Sequence, residues 1–392
     1  VLRPSKPPIY EAYSEYIQGL EFFVLKKDYE TALGKANRAF ALDTSFLIAR
    51  DLACCASVNL GHWAEADSLA KSLTLRRGEL NRTQQLSLDA VCAVISGDWL
   101  EYKNTCREMI KLEPDSKVNY LNSGRASLWL NRPLECIKTL SEIKAQDTMI
   151  LQDYDYWSTL TVAYHQLEQY KEELAAIQKF RQAMPECYIS LLCELSALVG
   201  LGRIDEVKKL LKEARDHPNR LEVPENAMSI AAKELRAHGY ENEAMLVLDE
   251  LIEWYRAKPE EERQSDLYLY ARALYEARRW QEARETFQQL QKLRPDIAEF
   301  QYYLGRAAAR LGDQAEAMRV SDSLEKAVQP YLFGGHVYCR ATISAILGNR
   351  DEAVSLAKES LRQGHLYTFH TDFDFESLRD YQPFKKLIEP SR

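Results

Sequence analysis

A seven-residue phrase returns along this chain at nearly even intervals. It reads LGHWAEA at 60–66, LNRPLEC at 130–136, LEQYKEE at 167–173, LGRIDEV at 201–207, ARRWQEA at 277–283, LGDQAEA at 311–317 and LGNRDEA at 347–353. Weaker copies stand at 25–32, 96–102 and 238–244. Aligned on the second position, the anchors are Lys27, Gly61, Gly97, Asn131, Glu168, Gly202, Gly239, Arg278, Gly312 and Gly348, spaced by 34 to 39 residues. Such a period rules out a single conventional core and points to a stack of similar units. Each copy reads as the turn between two antiparallel helices. The anchor takes the left-handed conformation that ends the first helix, and the following Glu-Ala lies in the first turn of the second, where a carboxylate suits the helix dipole.

A second small-residue site precedes the Ala-like position by twelve residues: Cys54, Ala90, Gly124, Thr161, Ala232, Ala271, Gly305 and Ala341, with Leu195 the exception. One small position per helix lets each pair pack closely. Prolines in KLEPD, AMPE and KLRPD close several units, because the residue before proline is pushed out of the helical region. Period-2 strand patterns are absent. The expected fold is all-α, an α-α superhelix of about ten helix-turn-helix repeats over 9–365, with residues 366–392 as a C-terminal cap. The opening VLRPSKPP reads as a stiff linker, residues 1–8, following another domain.

The pattern of Gly305, Gly312 and Ala317 in one unit, and of Ala271, Trp280, Ala283, Phe287 and Pro295 in another, resembles the tetratricopeptide repeat family. Glu173, where the family has alanine, is a departure, as are Leu195 and Val207. The resemblance implies a solenoid with an inner groove lined by the first helix of each pair. The segments YEAYSEYIQGLEFF and DFDFESLRDYQPFKKLI also resemble those that flank repeat regions in bacterial serine/threonine kinases, cyclases and winged-helix regulators. That likeness implies the sensing or docking part of a signalling protein.

Composition narrows the function. The net charge of −8 argues against direct nucleic-acid binding, and no apolar run is long enough to cross a bilayer. The eight cysteines form no C-x-x-C pair, so a reducing, cytoplasmic setting with buried packing thiols is expected. No G-x-S-x-G, Walker loop, H-E-x-x-H or glycine-rich fingerprint occurs, so no catalytic role and no cofactor or metal is expected. In DYDYW (153–157), ahead of His165, the aspartates read as helix caps rather than as carboxylate partners of the histidine.

Groove positions follow from the resemblance, three before and one after each small residue. They select Arg125, Lys233, Tyr268, Arg272, Tyr302, Arg306 and Tyr338, and neighbouring positions add Arg236, Tyr275 and Arg310. Tyr and Arg at i,i+4 share a helix face. Arginine forks suit carboxylates and phosphates, so the expected partner is a protein segment, acidic or ending in a C-terminal carboxylate. A small anionic ligand sensed on behalf of an attached output domain is the alternative. The plainer account is that the tyrosines fill gaps and the arginines pair with local glutamates.

The tail LYTFHTDFDFESLRDYQPFKKLI holds His370, Asp372, Asp374 and Glu376 at alternate positions, a spacing that could be taken for a metal site. Its place after the last repeat instead predicts a lid. Phe369, Phe373, Phe375, Leu378, Phe384 and Leu387 would cover the final helix pair, and the alternate acids would point outward.

Overall fold

The computed structural model describes residues 7–143, 148–216, 223–327 and 329–391. Residues 1–6 of the expected linker lie outside them. Among the described residues there is no strand, and the helices run in ten consecutive antiparallel pairs followed by a short tail. The fold is of the α-α superhelix class expected from the repeats. The chain divides into two compact units at Ala126/Ser127.

The first unit contains the pairs Tyr10–Glu21 with Tyr29–Leu42, Leu47–Asn59 with Trp63–Leu75, and Arg82–Ser96 with Trp99–Leu112. Its core is built on small side chains, Ala32, Ala36, Ala53, Cys54 and Ala56, interleaved with Leu52, Leu69 and Leu73. In the second unit the pairs run from Pro133–Ser141 to Gly335–Ile346 with Arg350–Arg362. There Ala232, Ala271, Ala283, Gly305, Ala317, Ala341 and Ala353 are all buried at the predicted small positions. At Gly305 the helices leave no room for a side chain: a Cβ would lie 2.7 Å from Val320 Cγ1 and 2.9 Å from Ile343 Cδ1.

All ten predicted turn anchors have positive φ. Six are glycines, and the other four, Lys27, Asn131, Glu168 and Arg278, lie at φ 52, 54, 57 and 59°. Side chains rarely adopt this region, so the repeat imposes it even where glycine is missing. The residue after the anchor then starts the next helix. Asp28, Asp98 and Asp313 each accept a hydrogen bond from the backbone N–H three residues on, at 2.9 to 3.2 Å. These caps satisfy donors that a helix start leaves unpaired.

The tail folds back as expected of a lid, with a 3-10 turn at Phe373–Leu378 and a helix at Gln382–Ile388 whose Pro383 lies in the first turn. Phe369, Phe375, Leu378 and Phe384 are fully buried against Tyr338, Ala341, Ala345, Val354 and Ala357. Asp372 caps the 3-10 turn, accepting from Asp374 N at 2.9 Å.

Candidate functional site: an arginine-lined cleft walled by the tail

Residues 366–376 cross the inner faces of the second unit's helices, and the acids of the tail do not all point outward. Asp374 is 1% exposed. Its carboxylate accepts from the Tyr275 hydroxyl at 2.8 Å and from Arg310 Nη2 at 2.9 Å, and Arg306 Nη1 lies 3.7 Å away. Burial, with the Asp372 charge beside it, raises the Asp374 carboxyl against the pull of Arg306 and Arg310. The outward expectation fails because two arginines and a tyrosine, from helices Leu267–Glu276 and Ala298–Arg310, together solvate one carboxylate. Glu376 stays half exposed and takes Arg310 Nη1 at 2.7 Å. Asp372 accepts from the Tyr338 hydroxyl at 2.5 Å.

Beside this latch a cleft of about 510 Å³ remains open. Four cations, Lys233, Arg236, Arg272 and Arg306, line it together with Tyr302 and Tyr303, and four acids share its walls, Glu276 and Glu299 on the helix side and Asp372 and Asp374 on the tail side. The expected groove residues therefore fall into three groups. Lys233, Arg236, Arg272, Tyr302 and Arg306 face the cleft together. Tyr275, Arg310 and Tyr338, which the sequence reading gave to a partner, are engaged by the tail. Tyr268 stands behind the cleft, its hydroxyl hydrogen bonded to Glu299 and its ring against Tyr303. Arg125 belongs to the first unit and does not line the cleft.

The cations of the cleft differ in how they are satisfied. Lys233 Nζ is 3.4 Å from Glu276. Arg236 donates to Glu276 O at 2.8 Å and lies over the Phe373 ring at 4.7 Å. Arg306 has the tail carboxylate at 3.7 Å and the rings of Tyr303 and Tyr338, although its Nε is buried without a hydrogen-bond partner. Arg272 has the Tyr268 ring at 5.6 Å, but its Nε is buried without a hydrogen-bond partner, and among the described residues no carboxylate lies within ion-pair distance. Glu276 and Glu299 are near enough to raise its pKa further, after the larger effect of Tyr303, so its charge is permanent.

A second polar cluster lies at the other end of the tail crossing. His165 Nδ1 is 2.9 Å from Glu173 Oε2, and His165 Nε2 is 3.2 Å from Glu234 Oε2. His238 and His370 complete the group. Burial opposes a charge on His165, but hydrogen bonds to Glu173 and then Glu234 outweigh it and raise the pKa to about 10. Burial lowers His238, and it lowers His370 to about 4. The sequence offers Asp153 and Asp155 as the carboxylates ahead of His165 and reads them as helix caps. Asp153 does cap its helix, accepting from Asp155 N at 3.0 Å, whereas the partners of the histidine come from two other helices. One signal for them was visible, since Glu173 occupies a position where the repeat buries alanine. Likewise His370 joins this cluster instead of pairing with Asp372 and Asp374.

Residues 268–328 match the family profile of the tetratricopeptide repeat. Among solved structures the chain is similar to a tetratricopeptide repeat protein from Parabacteroides merdae ATCC 43184, at 14% identity over 66% of this chain and 98% of that one, with a TM-score of 0.42. It is also similar to the human IFIT1 dimer with PPP-AAAA, at 14% identity over 92% and 96% of the two chains, with a TM-score of 0.39. No curated protein sequence matches. Among the described residues no helix is long and apolar enough to cross a membrane.

Proposed function

We propose that this array of tetratricopeptide-type helix pairs is a non-catalytic docking module, and that its tail-walled cleft receives a carboxylate-bearing segment of a protein partner. The observation that carries the reading is Arg272. Its guanidinium has no carboxylate within ion-pair distance among the described residues, and it lines a cleft whose walls also hold Lys233, Arg236, four tyrosines and the more distant Glu276 and Glu299. A carboxylate entering the cleft would give that guanidinium the charge-assisted hydrogen bonds it lacks. Tyr302 and Tyr303 would supply flat apolar area around it. The tail demonstrates the chemistry within the same protein, because Asp374 is bound by the next arginine of the same register.

In the wider protein, this module would serve as the sensing or docking part of a bacterial signalling protein, joined to an output domain and working in the cytoplasm. That context rests on the resemblance of the flanking segments, with the eight free cysteines favouring a reducing compartment.

A random octapeptide pool with free α-carboxyl groups, captured on the immobilised protein and read by mass spectrometry, tests the reading. Enrichment of acidic C-terminal sequences by the parent protein and its loss in Arg272→Ala are expected. Equal capture of an amidated pool would overturn it. A second reading, a sensor of small anions, is favoured by the cleft volume, which is of small-molecule size. Dicarboxylates such as succinate or citrate would then raise the melting temperature while the peptide pool gave no enrichment.

A further inference from the structure

Three imidazoles and one carboxylate, drawn from three segments of the second unit, converge on a single point. His165 ends the helix Tyr154–Gln166, Glu234 and His238 lie one turn apart at the end of Val223–Ala237, and His370 comes from the tail. We propose that His165, Glu234, His238 and His370 bind one divalent transition-metal ion of the zinc class. Glu173 then stands behind His165 as the carboxylate that orients it.

The geometry is that of a slightly expanded tetrahedral cage. Glu234 Oε2 is 3.2 Å from His165 Nε2, 3.8 Å from His238 Nε2 and 4.0 Å from His370 Nε2. All four ligand atoms lie within 4.8 Å of one another. Bonds of about 2.0–2.1 Å to a tetrahedral ion place ligand atoms roughly 3.3–3.4 Å apart, so an ion at the centre draws the widest pair in by up to about 1.5 Å. The rings are suitably fanned: His165 makes interplanar angles of 85° with His238 and 86° with His370, and His238 makes 69° with His370. Three imidazoles facing a common point along different directions are arranged for coordination, not for stacking.

Hydrogen bonding leaves the cluster incomplete. The Nε2 atoms of His238 and His370 are both buried and without a hydrogen-bond partner, although both face the Glu234 carboxylate. By contrast His165 is held from behind, its Nδ1 2.9 Å from a Glu173 carboxylate whose side chain is 2% exposed. A carboxylate–histidine–metal relay of this kind fixes the ring and strengthens it as a ligand. The donor set of three imidazoles and one carboxylate, with no thiolate, selects zinc or a neighbouring first-row ion over calcium or magnesium, which prefer oxygen alone. Four protein ligands fill a tetrahedron, so the site would be structural.

Its placement gives the ion a task. His370 stands four residues before Asp374, so coordination would pin the tail wall of the cleft to two helix pairs at once. The claim does not depend on what the cleft binds.

Isothermal titration of the chelator-treated chain with Zn²⁺ tests it, with Co²⁺ as a spectroscopic probe. One Zn²⁺ per chain at submicromolar affinity is expected, together with the intense visible absorption of tetrahedral Co²⁺. His370→Ala and His238→Ala should each weaken binding by at least a hundredfold. Glu173→Gln should weaken it by about 10- to 100-fold while keeping the stoichiometry. His370 is over one-third exposed, so its variant should fold, and circular dichroism checks that it does. Absence of stoichiometric uptake by the parent chain would overturn the proposal, as would unchanged affinity in a folded His370→Ala chain. Zn²⁺ should also slow amide exchange across 366–378 in the parent but not in His370→Ala.

Discussion

Arg306 and Arg272 occupy the same place in successive repeats. Each follows the small residue of its first helix, Gly305 or Ala271, and each lies four residues after a tyrosine, Tyr302 or Tyr268. Both have a buried Nε without a hydrogen-bond partner, and what separates them is the carboxylate beside one of them. The carboxylate of Asp374 reaches Arg306, and among the described residues none reaches Arg272. The repeat builds the same cationic position twice, and the tail satisfies only one of the two. Identical register thus yields a latch in one unit and a candidate receptor in the next, and the distinction is set by where a distant segment ends.

The largest effect should come from removing the latch's apolar anchor. Phe375 is fully buried among Tyr338, Phe369 and Phe384, and Phe375→Ala should cost about 3–5 kcal/mol, read as the midpoint shift in urea unfolding of the second unit. Next comes the latch charge. Asp374→Ala leaves Arg306, Arg310 and Tyr275 without their common acceptor and should cost about 3 kcal/mol, with Asp374→Asn losing less because it keeps one acceptor oxygen. If Asp374→Ala were neutral, the tail carboxylate would not be what separates the two arginines.

Overpacking the shared frame should cost less. Ala283→Leu and Ala317→Leu, both at fully buried contacts, should each lose about 1–3 kcal/mol, whereas Ala→Leu at an exposed helix position should change stability little. Equal, negligible shifts would mean that the two repeats do not share the packing assumed for them. The smallest effect on stability belongs to Arg272→Ala, about 1 kcal/mol, since it removes the contact with the Tyr268 ring but breaks no ion pair. Arg306→Ala should cost several times more. Thermal denaturation of the two variants side by side measures the asymmetry directly.

The repeat was legible because its signals are local. A left-handed anchor, an acidic first turn and two small positions all fall within one helix pair, so every predicted turn has positive φ, including the four without glycine. The cleft was legible only in part. Register placed Lys233, Arg272, Tyr302 and Arg306 on one surface, but nothing within the repeat shows that Asp374 docks 99 residues away from Tyr275 in sequence. For the same reason the tail acids were expected in solvent. The histidine cluster joins residues 69 positions apart, His165 and Glu234, with a third element from the tail. Its one sequence trace was Glu173, an acid at a position the repeat buries. A buried carboxylate requires a partner, and the mismatch marked the place where packing gives way to polar chemistry.

The central claim is that Arg272 is a vacant counterpart of Arg306, shaped to take a carboxylate. Fluorescence anisotropy of an acidic, free-carboxyl peptide recovered from the pool, titrated with the parent chain and with Arg272→Ala, measures this most directly. The expected result is that the substitution weakens binding at least about tenfold, equivalent to roughly 1.4 kcal/mol, in a chain whose circular dichroism matches the parent. Equal affinity in the two proteins would contradict it.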